Sequence, residues 1–175
     1  DVWVIPNNCT DDTEDVAAAA GARVLRCTEP VSCKGDVLRF AFKHLLEMDY
    51  DGFCIFDADN LVDPGFFQAA NDALCAGARI GQGFRDSKNS RESWVAGGMS
   101  VFYWFMSRFF NRGRAALGMS AILNGTGVLL SAGLIRDMGW NTCTLTEDLE
   151  LTAQCGLRGE KIAYLENAVT YDEQP

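Results

Sequence analysis

Apolar residues along this chain follow two alternating patterns. Short runs rich in apolar, β-branched and aromatic residues predict strands at residues 1–6, 23–27, 52–56, 78–84 and 161–173. Apolar positions that recur every three or four residues predict helices at residues 11–21, 34–49, 65–77 and 145–159. Strands that alternate with helices of this length indicate crossover connections. The pattern therefore predicts one α/β domain over residues 1–175, Rossmann-like, with a mainly parallel sheet and helices on both faces.

Local signals mark the boundaries between these elements. Asp63 and Pro64 predict the start of the helix at 65–77, because Asp caps helices and Pro suits the first helical residue. Residues 85–93, RDSKNSRES, predict a polar loop. Residues 123–133, LNGTGVLLSAG, predict a glycine-bearing turn.

Composition narrows the class of protein. The chain has 175 residues, of which 48% are apolar and 22% charged, as in one globular domain. Its net charge of −9 argues against a nucleic-acid partner, which needs clustered Lys and Arg. A phosphate ligand stays possible, because a bound metal ion can supply positive charge locally. Seven cysteines without a C-x-x-C pair predict free thiols in a reducing compartment.

One segment has the composition of a membrane-surface helix. Residues 101–123 interleave aromatic residues with Arg108, Arg112 and Arg114. That composition suits an interfacial helix, and it equally suits a buried helix whose arginines cover the edge of a cleft. Both interpretations stay open, and no run of about 18 apolar residues indicates a membrane span.

Two carboxylates, Asp57 and Asp59, directly follow the strand at 52–56 in the stretch FDADN. Ligands of open α/β sheets bind beyond the carboxyl ends of the strands, and residues two apart in an extended segment point to the same side. Mg²⁺ and Mn²⁺ prefer oxygen ligands and often complete their shell with substrate phosphates. The stretch therefore indicates either a metal–diphosphate site or an ordinary turn, since Asp and Asn also start turns.

A third carboxylate, Asp148, lies near the start of the helix at 145–159, in the stretch TLTEDLEL. The helix dipole favours the ionised form of an acid there, which suits a general base. Acids at helix starts are also common as simple caps. This stretch alone leaves both interpretations open.

Taken together, seven short stretches resemble glycosyltransferase family 2, the inverting nucleotide-sugar transferases of GT-A fold. They occur in the family's order: NNCTDDT (7–13), CKGDVL (33–38), FDADN (56–60), RDSKN (85–89), LNGTG (123–127), TLTED (144–148) and YDEQP (171–175). The chain is most similar to the membrane-associated branch that includes cellulose and hyaluronan synthases and related bacterial enzymes.

The resemblance implies a role for each candidate residue. Asp57 would face the ribose and the metal, and Asp59 would bind Mg²⁺ or Mn²⁺ directly at the diphosphate. Asp148 would be the catalytic base. The other substrate-binding candidates are Lys34 near the diphosphate, Glu147 beside the base, Gly125 and Thr126 on the acceptor side, and Asn7 at the nucleotide base.

The resemblance also implies the reaction and its partners. The donor would be a nucleoside-diphosphate sugar, usually a UDP-sugar in this branch, and the acceptor a saccharide or lipid-linked hydroxyl. Transfer would be metal-assisted and would invert the anomeric centre. The implied location is the cytoplasmic face of the cell membrane.

Three departures from the family pattern shape the expectations. The family's N-terminal strand is absent, so the sheet is expected to lack a strand between those at 1–6 and 52–56. Pro6 and Asn7 stand where the family usually has Asp, which removes a charge from base recognition. The family's Q-x-x-R-W motif is expected beyond Pro175. The chain is therefore expected to be a catalytic domain that is incomplete at both ends.

Two other hypotheses remain at this level. A metal-dependent nucleotidyltransferase also uses carboxylates at strand ends, but it would need a basic glycine-rich loop at the first strand. A non-catalytic fragment that serves as a binding domain is favoured by the absent strand. The intact acids Asp57, Asp59 and Asp148 oppose it.

Overall fold

The computed structural model describes residues 1–175, which form seven strands, seven α-helices and one π-helical segment. The strands are β1 (Trp3–Val4), β2 (Arg23–Val24), β3 (Gly52–Ile55), β4 (Leu61–Val62), β5 (Ile80–Ser87), β6 (Val128–Ser131) and β7 (Ile162–Asp172). The helices are α1 (Thr13–Ala19), α2 (Lys34–Leu45), α3 (Phe66–Cys75), α4 (Trp94–Phe105), α5 (Arg112–Ala116), α6 (Ala132–Met138) and α7 (Glu147–Arg158), and the π-helical segment Met106–Asn111 joins α4 to α5. The predicted α/β class is confirmed.

The main sheet is mixed, and the prediction of a mainly parallel sheet was wrong. Its five strands lie in the order β3-β6-β5-β7-β4, and only β5 and β7 pair in parallel. The connection through α4 and α5 brings the chain back beside the middle of β5, where Val128 of β6 pairs with Gln82. From there β6 runs antiparallel to both of its neighbours. Apolar patterning reports which residues are buried, not the direction in which a strand runs.

The strands β1 and β2 form a separate parallel pair. The Trp3 indole N–H donates to the Tyr50 hydroxyl at 3.1 Å, which ties this pair to the segment before β3 by side chains. A sheet that lacked an intervening strand would be divided in this way. The expected absence of such a strand stays a prediction.

Two hydrophobic clusters pack on opposite faces of the main sheet, as the sequence predicts. Strand β6 contributes to both, because its successive side chains alternate between the two faces: Val128 and Leu130 join one cluster and Leu129 the other. Helices α2, α6 and α7 cover the first face, and α3 covers the second. This packing holds the first residues of α2 and α7 near the end of β3.

Three elements were missed at the sequence level, one of which is β6, because it lies within the stretch 123–133 that was predicted to be a turn. Strand β4 is only two residues long and exists because Leu61 and Val62 pair with β7. Helix α6 lies in the stretch interpreted as the end of a glycine-bearing turn, and the Ser131 hydroxyl caps it by accepting the Leu134 N–H at 3.1 Å. Short elements of this kind depend on a partner or a cap more than on periodicity.

All seven cysteines are free thiols. Burial raises the pKa of Cys54 and of Cys155 to about 11, so both stay protonated at neutral pH.

None of the helices combines the length and the hydropathy that a membrane span requires.

Candidate active site

Lys34, the first residue of α2, connects the two acidic motifs. Its ammonium group donates to the carboxylate of Asp57, just beyond β3, and to the Gly125 carbonyl at 2.8 Å. Oε1 of Glu147, the first residue of α7, lies 3.8 Å from the same nitrogen. Lys34 therefore brings together two acids that are far apart in sequence and partly balances their charge.

Asp148 lies at the same cleft, beside the turn at Gly125. A Cβ atom added to Gly125 would lie 3.7 Å from Oδ2 of Asp148, and Gly125 has a φ of +90°, which favours glycine. Lys34, Gly125, Glu147 and Asp148 line the cleft together with apolar side chains that include Trp140. A hydroxyl that enters here meets a half-buried carboxylate.

The backbone of Asp57 is held by two side chains. Its N–H donates to Oδ1 of Asn60 at 3.1 Å and to Oγ1 of Thr126 at 3.2 Å. Thr126 is completely buried, so its hydroxyl binds the backbone of Asp57 from the interior of the protein and does not face the cleft. Asn60 was not singled out from the sequence, although it follows the second acid directly.

Asp59 is exposed at the rim, and its Oδ1 accepts a hydrogen bond from Asn60 Nδ2 at 3.3 Å. Nowhere in residues 1–175 do three His, Cys, Asp or Glu side chains converge as a metal-binding group. Mg²⁺ and Mn²⁺ commonly take one or two protein carboxylates and complete their shell with water and substrate phosphates. Two partly exposed carboxylates at one strand end fit such an ion when it arrives with a diphosphate.

Asn7 is not joined to this cluster. It follows β1 and is half-buried, and its carbonyl accepts from the Cys9 thiol at 3.7 Å. No hydrogen bond or ion pair links it to Lys34 or to the acids across residues 1–175. The other seven predicted residues lie around the end of β3 and the start of α7.

Glu150 orders the loop that leads into α7, a role the sequence did not reveal. Its Oε2 accepts the N–H groups of Cys143 and Thr144 at 2.8 and 2.9 Å and the Thr144 hydroxyl at 2.9 Å. The Cys143 N–H, followed by that of Thr144, lowers the pKa of the Glu150 carboxyl. The ionised carboxylate therefore holds in place the loop that precedes Glu147 and Asp148.

Arg85 lies in the stretch that the sequence predicts to be a polar loop, but the structure places it in a strand. Strand β5 continues to Ser87, and Arg85 forms an ion pair with Asp172 of β7, whose side chain is only 3% exposed. Its guanidinium carbon lies 3.7 Å from the centre of the Tyr103 ring, and its Nη1 donates to the Asn124 carbonyl at 2.7 Å. Arg85 therefore anchors the turn that leads to Gly125.

Comparisons with solved structures place the fold among glycosyltransferases of the GT-A type. Glucosyl-3-phosphoglycerate synthase from Mycobacterium tuberculosis, in complex with phosphoglyceric acid, matches with a TM-score of 0.66 at 21% identity, over 99% of this chain and 61% of that one. The same enzyme with Mn²⁺, UDP and glucosyl-3-phosphoglycerate gives 0.66 at 20% identity, over 99% and 61%. S. aureus TarS 1–349 gives 0.66 at 14% identity, over 99% and 51%.

The family follows from the sequence match. The model of "Glycosyltransferase like family 2" matches residues 1–175. This chain belongs to glycosyltransferase family 2. It spans about three fifths of the length of the synthase structures that it resembles. No protein of curated function matches the sequence.

Proposed function

We propose that this domain transfers a sugar from a nucleoside-diphosphate sugar, with a UDP-sugar as the first candidate, to the hydroxyl of a saccharide or lipid-linked acceptor. The observation that carries the proposal is the contact set of Lys34, which joins Asp57 to the turn beside Asp148. One cleft thus has carboxylates for a metal–diphosphate on one side and for a hydroxyl on the other. Membership of family 2 supports the same activity.

In this proposal Asp148 is the general base. Its carboxylate takes the proton of the acceptor hydroxyl while the hydroxyl oxygen bonds to the anomeric carbon. The bond from that carbon to the diphosphate oxygen breaks on the opposite face, and its electron pair leaves with the nucleoside diphosphate. A single displacement of this kind inverts the anomeric centre. A positioned base typically contributes about 10²–10⁴-fold to such a rate.

Asp59 and Asp57 are the proposed ligands of Mg²⁺ or Mn²⁺. A bound divalent ion stabilises the negative charge on the departing diphosphate as a Lewis acid. Lys34 contributes a fixed positive charge beside Asp57, where the diphosphate would bind. A structural neighbour in complex with Mn²⁺ and UDP supports the proposal of a divalent ion.

The proposal is tested by nucleotide release. Wild-type protein is incubated with UDP-glucose, UDP-N-acetylglucosamine, UDP-galactose or GDP-mannose, with Mn²⁺, with Mg²⁺ or with EDTA. We expect release of UDP from at least one donor with a metal ion, and loss of that release with EDTA, because without the ion the negative carboxylates and the negative diphosphate repel one another. Release of a sugar 1-phosphate, with transfer of the nucleoside monophosphate, would instead indicate a nucleotidyltransferase. Metal-independent nucleotide binding without turnover would indicate a binding domain.

We further propose that the segment 101–123 contacts a membrane surface, which would put the domain at the cytoplasmic face of the cell membrane. Phe102, Trp104, Phe105 and Phe109 are each 44–57% exposed. Exposed aromatic side chains with nearby arginines suit the interface between headgroups and acyl chains. Arg108 and Arg112 also pair with Glu166, at 3.2 and 3.3 Å, so part of their charge is already balanced.

Vesicle flotation tests this second proposal. We expect the protein to float with vesicles of phosphatidylglycerol and phosphatidylcholine, and a triple variant Trp104→Ser, Phe105→Ser, Phe109→Ser to stay in solution, because it removes the apolar contact area. Leu157→Ser on α7 is the matched control, since that side chain is 89% exposed outside the segment. Equal flotation of the triple variant and the wild type would contradict the proposal.

A further inference from the structure

Gln82 is a polar residue in the otherwise apolar run of β5, and its side chain is completely buried. Its Oε1 accepts the N–H of Asn124 at 2.9 Å. Its Nε2 donates to the carbonyl of Thr126 at 2.9 Å and to that of Gly83 at 3.1 Å. One amide group therefore closes both ends of the turn 124–126.

This turn contacts the proposed reaction site on three sides. The Gly125 carbonyl accepts from Lys34 at 2.8 Å, and the Thr126 hydroxyl accepts from the N–H of Asp57 at 3.2 Å. The Cβ position of Gly125 lies 3.7 Å from Oδ2 of Asp148. A displacement of the turn would therefore change the separation between Asp57 and Asp148.

The turn needs support from outside itself. Gly125 and Gly127 have φ values of +90° and +62°, and β6 begins only at Val128. The Asn124 N–H and the Thr126 carbonyl thus lie outside the regular pairing of β6 and would be unpaired without Gln82. Unpaired buried backbone groups are costly, so the turn would move to find other partners.

We propose that Gln82 is a positioning residue of the sugar transfer: by closing the turn 124–126, its amide sets the geometry between the donor carboxylate Asp57 and the base Asp148. The inference rests on the proposed function, because the two acids need a fixed separation only if a donor and a hydroxyl must meet between them. Misplacement of catalytic groups by about 1 Å can cost about 10²-fold in rate.

The first test compares two buried side-chain amides: that of Gln82 binds the turn 124–126, and that of Asn111 binds the backbone of Ile122. Gln82→Met keeps the length of the side chain and removes all three hydrogen bonds. Asn111→Leu is the matched control: Asn111 is also completely buried, and its amide binds the N–H and carbonyl of Ile122 at 2.9 and 3.0 Å. The measurements are the Tm, the Kd for UDP with Mn²⁺, and KM and kcat for UDP release from the donor that the wild type uses.

We expect both variants to lose Tm to a similar extent. Gln82→Met should lower kcat by about 10²-fold, with a smaller change in KM and in the UDP Kd, because sugar transfer, unlike nucleotide binding, depends on the separation between Asp57 and Asp148. Asn111→Leu should keep most of its kcat. If Gln82→Met loses no more kcat than Asn111→Leu, the proposal is overturned.

The second test uses Gln82→Glu. A neutral carboxyl group can still accept from Asn124 and donate to Thr126, whereas the carboxylate can only accept and would repel the Thr126 carbonyl. Burial raises the pKa of such a carboxyl group. We expect the kcat of this variant to decrease as the pH rises from 5 to 9, while the Tm shows that the variant is folded. The kcat of the wild type should not decrease in this way over the same pH range.

The outcomes distinguish a failure of the proposed role of Gln82 from a failure of the proposed function. A pH profile of Gln82→Glu that is parallel to the wild type overturns the role of Gln82 and leaves the proposed function standing. Wild-type protein that releases no nucleotide from any donor overturns the proposed function, and the role of Gln82 is rejected with it.

Discussion

Replacement of Asp148 by Asn is expected to lower kcat for sugar transfer by about 10²–10⁴-fold, because the amide cannot take the proton of the acceptor hydroxyl. The amide is close in size to the carboxylate, and its oxygen can still accept the Leu149 N–H that now binds Oδ1 at 2.8 Å. The Kd for UDP with Mn²⁺ should stay within about threefold of the wild type, because only the acceptor side is changed. Steady-state kinetics and calorimetry of the same preparation measure both quantities.

The matched control is Asp72→Asn on α3, an exposed acid whose helix packs on the opposite face of the sheet from α7. It should leave kcat unchanged and thereby exclude a general effect of net charge. Full activity of Asp148→Asn would contradict the assignment of the base. A parallel loss of nucleotide binding would instead put Asp148 on the donor side.

Replacement of Arg85 by Met is expected to cost about 3–5 kcal/mol in the free energy of unfolding, because it leaves the Asp172 carboxylate buried without its partner. Oδ1 of Asp172 already lacks a hydrogen bond, so no spare donor is at hand to replace the guanidinium. For a domain of this size the loss corresponds to a fall in Tm of roughly 6–20 °C. Denaturant unfolding measures the free energy, and calorimetry measures the Tm.

Two further variants test whether this loss of stability comes from the buried charge of Asp172. Arg26→Met removes an ion pair with Glu14 in which the Arg26 side chain is 70% exposed, and it should cost far less stability than Arg85→Met because solvent screens the pair. The double variant Arg85→Met, Asp172→Leu should recover much of the lost stability, because it removes both buried charges. If Arg85→Met is as stable as Arg26→Met, the pair does not anchor the turn at Asn124.

Much of the candidate site could be predicted because its residues lie at element ends. Asp57 follows an apolar run, Lys34 and Glu147 begin amphipathic helices, and local signals mark such ends. The supporting residues were harder to predict. Gln82 and Arg85 appear in the sequence only as polar residues in or after an apolar strand, and their partners lie about 40 or more residues away along the chain.

By itself the sequence determined the α/β class, the order of most elements and which acids are candidates for the site at the cleft, because burial and capping depend on residues close together along the chain. Only the tertiary structure decided that the main sheet is mixed, that Arg85 is buried against Asp172, and that Lys34 joins Asp57 to the turn beside Asp148. The physical reason is that strand direction, ion pairs and side-chain hydrogen bonds to a distant backbone are set by contacts between segments far apart in sequence, which no local pattern encodes.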